Sequence, residues 1–200
     1  GAGTGGHAKI LEKDNFFIDG VELSPEMVSK AYNSDNVKIF QGDMMSYISN
    51  KQYDAAYSFF HVFSYLGDNK DVLAFFQSCR KNIKKGGILV FDFWYGPAVW
   101  AQGLQNNSRT FSINGKDFKR LTKKTHYPEL NSVNVNFTIQ DIDTNSVISD
   151  ENHMMRYYFK RELELFSLIS NFEPLEFLTM PDGKNLDSTF WDGACVLRAI

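Results

Sequence analysis

Apolar positions in the first half of the chain alternate between a spacing typical of strands and one typical of helices. Short apolar runs predict strands over residues 16–21, 37–40, 53–60 and 88–94. Apolar residues at 72, 76, 79 and 83 share one face of a predicted helix over 68–84, and Gly86-Gly87 is typical of a helix end. The run 88–94 is apolar almost throughout, as in strands buried on both faces of a parallel sheet. This order of elements predicts an α/β domain.

Two shorter helices are predicted near the N-terminal end of the sequence. One covers 7–13, directly after a glycine-rich stretch. The other begins at Ser24-Pro25, where the serine can cap the first turn and the proline fits the first helical position, and it runs toward Tyr32.

The pattern changes after Pro97. Residues 101–116 are rich in Asn, Gly and Ser and are predicted to form a loop, while 117–159 predict strands without intervening helices. The signals are an alternating strand at 133–139, a turn at 143–146 and a strand at 153–159. We therefore expect one domain over 1–200 that carries an inserted antiparallel sheet over 101–160. A helix over 160–171 and strands over 175–178 and 194–200 complete the prediction.

A glycine loop opens the chain, and an acidic residue follows at a distance typical of nucleotide-binding folds. Gly1, Gly3 and Gly5 allow the backbone to approach a ligand closely, and Glu22 ends the next predicted strand. A carboxylate at that strand end can accept hydrogen bonds from two ribose hydroxyls. Gly1-x-Gly3-x-x-Gly6 also satisfies the dinucleotide fingerprint, so a nicotinamide-dependent oxidoreductase remains an alternative.

Composition and charge narrow the classes of function. The chain has 200 residues, 43% hydrophobic residues and a net charge of −3, which is typical of a globular domain and disfavours a nucleic-acid partner. The local basic cluster 119–124 is interpreted as a solvated strand face. No apolar run approaches the roughly 18–20 residues that cross a bilayer, and no signal peptide is visible. Two cysteines form no metal-type cluster, so we expect no metal and a reducing cytoplasm.

Several motifs in order resemble those of the class I S-adenosylmethionine-dependent methyltransferases, over nearly the whole chain. The motifs are Gly1-x-Gly3-x-Gly5, the segment 21–27 around Glu22, Gln41-Gly42-Asp43-Met44, the strand 53–60 and the segment 85–90. The acidic motif more often has Asp where this chain has Glu22. The resemblance implies a Rossmann-like doubly wound sheet with an antiparallel insertion after the fifth strand and a final antiparallel strand.

The same resemblance implies S-adenosylmethionine as cofactor, with S-adenosylhomocysteine as product, and assigns residues to it. The glycines would lie against the methionyl part, Glu22 would hold the ribose hydroxyls, and Asp43 would accept from the adenine amine. The remaining implied cofactor contacts are Leu23, Met27, Met44 and Phe59. Each has an alternative as a turn, surface or core residue, and Phe59 belongs equally to core or pocket.

Residues on the acceptor side are expected after the fourth and fifth strands of the family and in the inserted sheet. His61, Tyr95 and His153 are the candidate catalytic residues. If 153–159 is a strand, His153 shares one face with Met155, Tyr157 and Phe159, while Arg156 points the other way. We hypothesise that this aromatic face covers the active site, and that His61 or His153 serves as base or orienting group. An ordinary surface or core histidine is the alternative for each.

The inserted sheet resembles that of small-molecule members such as amino-sugar N-methyltransferases and glycine N-methyltransferase-like enzymes. The resemblance implies methylation of nitrogen or oxygen on a small polar acceptor, including a sugar or nucleotide-linked sugar. It further implies a cytoplasmic monomer or homodimer without nucleic-acid or membrane partners. A non-catalytic cofactor-binding module is a further alternative. Since the family places a strand and a helix before this glycine loop, we also expect the natural protein to extend before Gly1.

Overall fold

A computed structural model describes residues 1–200, with five helices and ten strands. The helices are α1 (Gly6–Leu11), α2 (Pro25–Ser29), α3 (Asn69–Asn82), α4 (Gly96–Gln102) and α5 (Lys160–Ile169). The strands are β1 (Ile18–Glu22), β2 (Val37–Gln41), β3 (Tyr53–Ser58), β4 (Ile83–Tyr95), β5 (Asn107–Ile113), β6 (Lys116–Tyr127), β7 (Ser132–Asp141), β8 (Val147–Tyr158), β9 (Phe172–Thr179) and β10 (Asp192–Ala199). The predicted α/β class is confirmed. None of the helices combines the length and apolar content needed to cross a membrane.

Strand β4 is the centre of the larger sheet, because it pairs with three other strands. β10 runs antiparallel along one edge, and β9 lies beyond β10. Along its other edge, β4 pairs with two strands in succession. β3 pairs with it in parallel as far as Ser58–Phe91, and β8 pairs with it in parallel at Trp94 and Tyr95. The final antiparallel strand is therefore confirmed.

Strands β1 and β2 form a separate parallel pair, in register from Ile18–Val37 to Glu22–Gln41. Their small core consists of Ala8 from α1 with Val37 and Ile39 from β2. Because the strands are parallel, both end at the same edge, next to the glycine loop.

The inserted sheet has four antiparallel strands, in the order β5-β6-β7-β8. The loop predicted over 101–116 is wrong, because α4 extends to Gln102 and Asn107–Ile113 pair with β6. Almost every residue of β5 is exposed, so this edge strand lacks the apolar alternation that marks half-buried strands. The predicted turn is present, and the Asp141 carboxylate accepts hydrogen bonds from two of its backbone amides.

Helix α3 ends before the residue at which Gly86-Gly87 predict its end. It stops at Asn82, whose side chain donates to the Ser78 carbonyl oxygen and accepts from the Ser49 amide. Gly86-Gly87 instead lie within an irregular stretch of β4, where the pairing moves from Tyr53–Ile83 to Ala55–Ile88. The predicted helix end at this pair is therefore wrong, since a polar side chain, not a glycine, satisfies the helix terminus.

The main hydrophobic core lies between β4, α3 and α5, and aromatic rings dominate it. Phe63 packs against Phe91 with ring centroids 4.3 Å apart, and Phe76 contacts both Phe91 and Phe166. Eight of the 18 phenylalanines of the sequence belong to this core of 17 buried residues. Cys195 is buried in this core and Cys79 lies at its margin, and both are free thiols.

A buried arginine ties the inserted sheet to the helices. Arg156 of β8 is 6% exposed, donates to the Gly67 carbonyl oxygen and the Asn69 amide oxygen, and forms an ion pair with Glu162 of α5. Its guanidinium also lies 4.8 Å from the ring centroid of Tyr158. This confirms that Arg156 faces away from His153, as strand alternation predicts.

Gly87 offers a test of the irregular β4 pairing. A Cβ at Gly87 would lie 2.7 Å from the carbonyl oxygen of Asp54, which belongs to the backbone and cannot rotate away. We expect Gly87→Ala to lower the free energy of unfolding by about 1–3 kcal/mol, the usual cost of overpacking. Gly67→Ala is the control, because nothing lies within 4 Å of its Cβ position. Urea unfolding measures both, and equal midpoints would contradict the close contact.

Candidate active site

The glycine loop lies against the carboxyl end of β1. The amide of Ala2 donates to the carbonyl oxygen of Val21 at 2.9 Å, and the Gly5 amide closes a turn onto the Ala2 carbonyl oxygen at 3.1 Å. Gly3 and Gly5 have φ values of 57° and 80°, in the left-handed region that glycine adopts most readily. The two glycines thus let the chain turn sharply before α1 begins.

Glu22 fixes this loop through both carboxylate oxygens. One oxygen accepts from the Gly3 amide at 2.7 Å, and the other accepts from the Ser24 amide at 2.9 Å. Glu22 is 8% exposed. Burial raises the pKa of Glu22, but the amide hydrogen bonds of Ser24 and Gly3 outweigh it and hold the pKa below its usual value. Each oxygen keeps a further lone pair, so the carboxylate can still accept from a ligand hydroxyl.

The end of β2 lies beside Glu22. The Gly42 amide donates to the Glu22 carbonyl oxygen at 2.9 Å, and one Asp43 carboxylate oxygen accepts from the Met45 amide at 2.9 Å. The other Asp43 oxygen makes no hydrogen bond within the protein. Met44 packs against the main core, which favours a backbone contact over a side-chain contact for this residue.

Apolar side chains near Glu22 stand exposed. Leu23 is 68% exposed and Met27 is 48% exposed, although both follow directly from the buried strand end. Phe59 is half-buried and stacks on Tyr57 with centroids 5.6 Å apart, beside His7 of α1. The predicted cofactor residues are therefore gathered around the glycine loop, and their chemistry fits a ligand with a ribose and an adenine ring.

The chain turns sharply after β3. Phe60 and His61 both have left-handed φ values, 65° and 59°, which is uncommon for residues other than glycine. The Asp92 carboxylate of β4 accepts from both of their amides, at 2.8 Å each. Burial raises the pKa of Asp92, while His61 and the two amide hydrogen bonds oppose that effect. Asp92 is thus the residue that holds the turn, and no local sequence pattern predicts this role.

A cavity of about 330 Å³, here called the central cavity, opens between this turn and the inserted sheet. Its lining residues are Phe60, His61, Tyr65, Trp94, Asn107, Arg120, Thr122, Lys124, Val135, Phe137, His153 and Met155. Two predicted catalytic residues, His61 and His153, therefore face one space although 92 positions separate them. Within the described chain, no cluster of metal-binding side chains is found.

The two histidines have different polar surroundings. His61 lies between two carboxylates, with its Nδ1 3.6 Å from Asp92 and its Nε2 3.6 Å from Asp192. His153 shares a 2.8 Å hydrogen bond through Nδ1 with the Tyr65 hydroxyl, and its Nε2 lies 3.5 Å from Glu151. Each imidazole therefore lies beside an acidic side chain.

Tyr95 is the predicted catalytic residue that the structure does not bring to the cavity. It packs against the main core near Phe93, and its neighbour Trp94 lines the cavity instead. Successive side chains of a strand point to opposite faces, which is why Trp94 faces the cavity and Tyr95 does not. Tyr65, Arg120 and Thr122 line the cavity without having been predicted, although alternation along 117–127 marks the latter two as partners on one face.

Comparisons with known proteins support one family. Residues 1–87 match the family model of the methyltransferase domain. The chain is 23% identical over 163 residues to dTDP-3-amino-3,4,6-trideoxy-alpha-D-glucopyranose N,N-dimethyltransferase of Streptomyces venezuelae, an alignment that covers 81% of this chain and 68% of that protein. The chain thus spans about two thirds of this relative's length.

Solved structures share the fold. The CcbJ methyltransferase of Streptomyces caelestis gives a TM-score of 0.83 at 20% identity, over 100% of this chain and 81% of that one. CalS10 of Micromonospora echinaspora is an amino pentose methyltransferase bound to S-adenosylmethionine. It gives a TM-score of 0.77 at 17% identity, over 100% of this chain and 81% of that one. These neighbours show the class I methyltransferase fold.

Replacing Glu22 tests the anchoring of the loop. Glu22→Gln keeps the shape but has one acceptor oxygen for two amides, and a hydrogen bond to a charged group contributes about 1.5–3 kcal/mol. We expect the Kd for S-adenosylhomocysteine, measured by calorimetry, to rise about 10–100-fold. Glu26→Gln is the control, because Glu26 is exposed and pairs only with Lys30. Equal affinities of the two variants would contradict the assignment.

The same residue predicts a pH dependence. Since the folded-state pKa of Glu22 is lowered, its contribution to stability is present above its ordinary pKa and is lost as the pH falls through the folded value. We expect the stability difference between the wild type and Glu22→Gln to shrink below about pH 4.3. Urea unfolding at a series of pH values measures it, and a difference that grows on acidification would show the opposite sign.

The turn after β3 can be tested by proteolysis. In Asp92→Asn, one of the two backbone amides of the turn faces the side-chain NH2 group and loses its acceptor. We therefore expect the turn to open more often. Chymotrypsin should cleave after Phe59 or Phe60 about tenfold faster, which corresponds to a loss of about 1.4 kcal/mol. Asp54→Asn is the control, because Asp54 is exposed and pairs with Lys84. Cleavage at the wild-type rate in Asp92→Asn would show that other contacts hold the turn.

Proposed function

We propose that the chain is an enzyme that N-methylates a small amino sugar, since residues 1–87 match a methyltransferase domain and the fold is that of the class I S-adenosylmethionine-dependent methyltransferases. One observation carries the proposal. Phe60 lines the central cavity and also lies 5.0 Å, between ring centroids, from His7 of the glycine-loop helix. The cofactor residues and the central cavity therefore meet at one side chain, as methyl transfer between two ligands requires.

We assign the cofactor contacts to the residues gathered around the glycine loop. Glu22 holds the ribose hydroxyls, Asp43 accepts from the adenine amine with its unbonded oxygen, and Leu23 and Met27 cover the adenine ring. Gly1, Gly3 and Gly5 accommodate the methionyl part, and Met44 and Phe59 complete the site. The exposed apolar surfaces of Leu23 and Met27 support the assignment, because ring burial would remove them from water.

The protein's own part in the reaction is alignment, water exclusion and proton handling. When bound, S-adenosylmethionine supplies a methyl group on a sulfonium, a leaving group that needs no acid. Aromatic walls from Phe60, Trp94 and Phe137 exclude water and orient the acceptor, and alignment of this kind is worth about 7–11 kcal/mol. His61 or His153 takes the proton that the methylated amine loses, and their carboxylate neighbours stabilise the imidazolium formed.

An amine on a sugar is the acceptor that the relatives support best. The Streptomyces venezuelae relative is an N,N-dimethyltransferase of an amino sugar carried on dTDP, and CalS10 is an amino pentose methyltransferase. A single-domain enzyme over 1–200, with the sheet of 101–160 covering its substrate, fits this size of acceptor. We further propose a cytoplasmic monomer or homodimer that has no nucleic-acid or membrane partner, in keeping with its net charge of −3.

The proposal is tested by assaying methyl transfer to dTDP-linked amino sugars and following the acceptor mass. We expect transfer by the wild type, and His61→Asn or His153→Asn to slow single turnover about 100-fold at the residue that serves as base. His126→Asn is the matched control, because His126 bonds to the Tyr157 hydroxyl and does not line the central cavity. Wild-type rates in both cavity variants would remove the histidines from the mechanism.

A separate binding experiment tests the cofactor assignment. Calorimetry should show binding of S-adenosylhomocysteine and none of NADH, as expected of the methyltransferase domain that residues 1–87 match. Binding of NADH alone would overturn the proposed function.

A further inference from the structure

One wall of the central cavity is positively charged. Arg120 and Lys124 both line it, whereas no aspartate or glutamate does. Neither cation forms an ion pair anywhere in the protein. Charged groups that are partly buried without a partner are costly, so their presence facing a cavity indicates an anionic ligand.

Strand alternation separates these two cations from their neighbours. Arg120, Thr122 and Lys124 share the cavity face of β6, while Lys119 and Lys123 are exposed on the other face. Of the four residues of the basic cluster, only Lys119 and Lys123 therefore lie on a solvated strand face, as predicted.

The polar atoms of this wall lack partners within the protein. Arg120 Nε and Thr122 Oγ1 are buried without a hydrogen bond, and His61 Nδ1 on the opposite wall is a third such atom, so three of the six in the chain belong to this cavity. The Arg120 guanidinium lies 5.1 Å from the ring centroid of Phe137, and Lys124 Nζ lies 4.7 Å from that of Trp191. Aromatic rings thus hold both cations in place and leave their donors available.

From this wall we propose that Arg120 binds a phosphate group of the methyl acceptor and that Lys124 supplies a second positive charge to the same group. The guanidinium is planar and has five donors, which suits bidentate binding of a phosphate. The inference rests on the proposed function, since it places the nucleotide-bearing end of the sugar at β6 and its amine toward the histidines. Arg120 is therefore a residue that determines specificity and not one that takes part in proton transfer.

The test separates binding from turnover. The binding of thymidine diphosphate is measured by calorimetry in the presence of saturating S-adenosylhomocysteine. The wild type should bind it, and Arg120→Gln should bind it about 10–100-fold more weakly. This range is expected for the loss of a charge-assisted hydrogen-bonded pair, which contributes about 1.5–3 kcal/mol. Lys123→Gln is the matched control, with the same charge change on the opposite face of the same strand. Arg120→Lys should bind better than Arg120→Gln, and all variants should retain wild-type affinity for S-adenosylhomocysteine, which shows that they are folded.

The outcomes distinguish the inference from the proposed function. The role of Arg120 is overturned if the wild type does not bind thymidine diphosphate, or if Arg120→Gln and Lys123→Gln bind it equally well. This holds even if an amino sugar is methylated. Arg120-dependent binding supports the inference even if no amine is methylated. In steady-state assays, a raised KM for the dTDP-linked acceptor with an unchanged kcat supports it, and a lowered kcat with an unchanged KM overturns it.

Discussion

The edge that β3 and β8 share along β4 is the constraint on which the site depends. Pairing with β3 ends at Phe91 and pairing with β8 begins at Trp94, so Asp92 and Phe93 have no strand partner on that edge. The chain leaving β3 must turn away at this point. The Asp92 carboxylate accepts from both amides of the turn, which replaces the missing strand pairing with two side-chain hydrogen bonds. Phe60 and His61 reach the central cavity because of this turn.

Charge is distributed unevenly around the two ligand regions. Carboxylates gather near the glycine loop, where Glu22 ends β1 and Asp43 follows β2 by two residues. The cavity wall of β6 carries cations, His153 lies two strands away on the same sheet, and His61 lies on the opposite wall. An acceptor with a negative end would therefore meet complementary charge at the cavity wall of β6.

Much of the fold could be predicted from the sequence, because long apolar runs such as 88–94 and the capped helix start at Ser24 carry strong local signals. The edge strand β5 was missed because its side chains are almost all exposed and five of its seven residues are polar. Such a strand exists only through pairing with β6. In the site, the motif order located Glu22 and Asp43. Asp92 could not be assigned, because its role depends on a turn 31 residues earlier in the chain.

The inserted sheet meets the rest of the protein through a continuous backbone ladder, at Trp94–Tyr157 and Tyr95–Tyr158. Arg156 strengthens that junction from the opposite face. The wall that carries His153 and the wall that carries His61 therefore keep a fixed register, and neither slides without breaking backbone hydrogen bonds. In an evolving lineage, a new acceptor would be accommodated by exchanging side chains at alternate positions of β6 to β8, while the scaffold that sets the spacing between the walls stays the same.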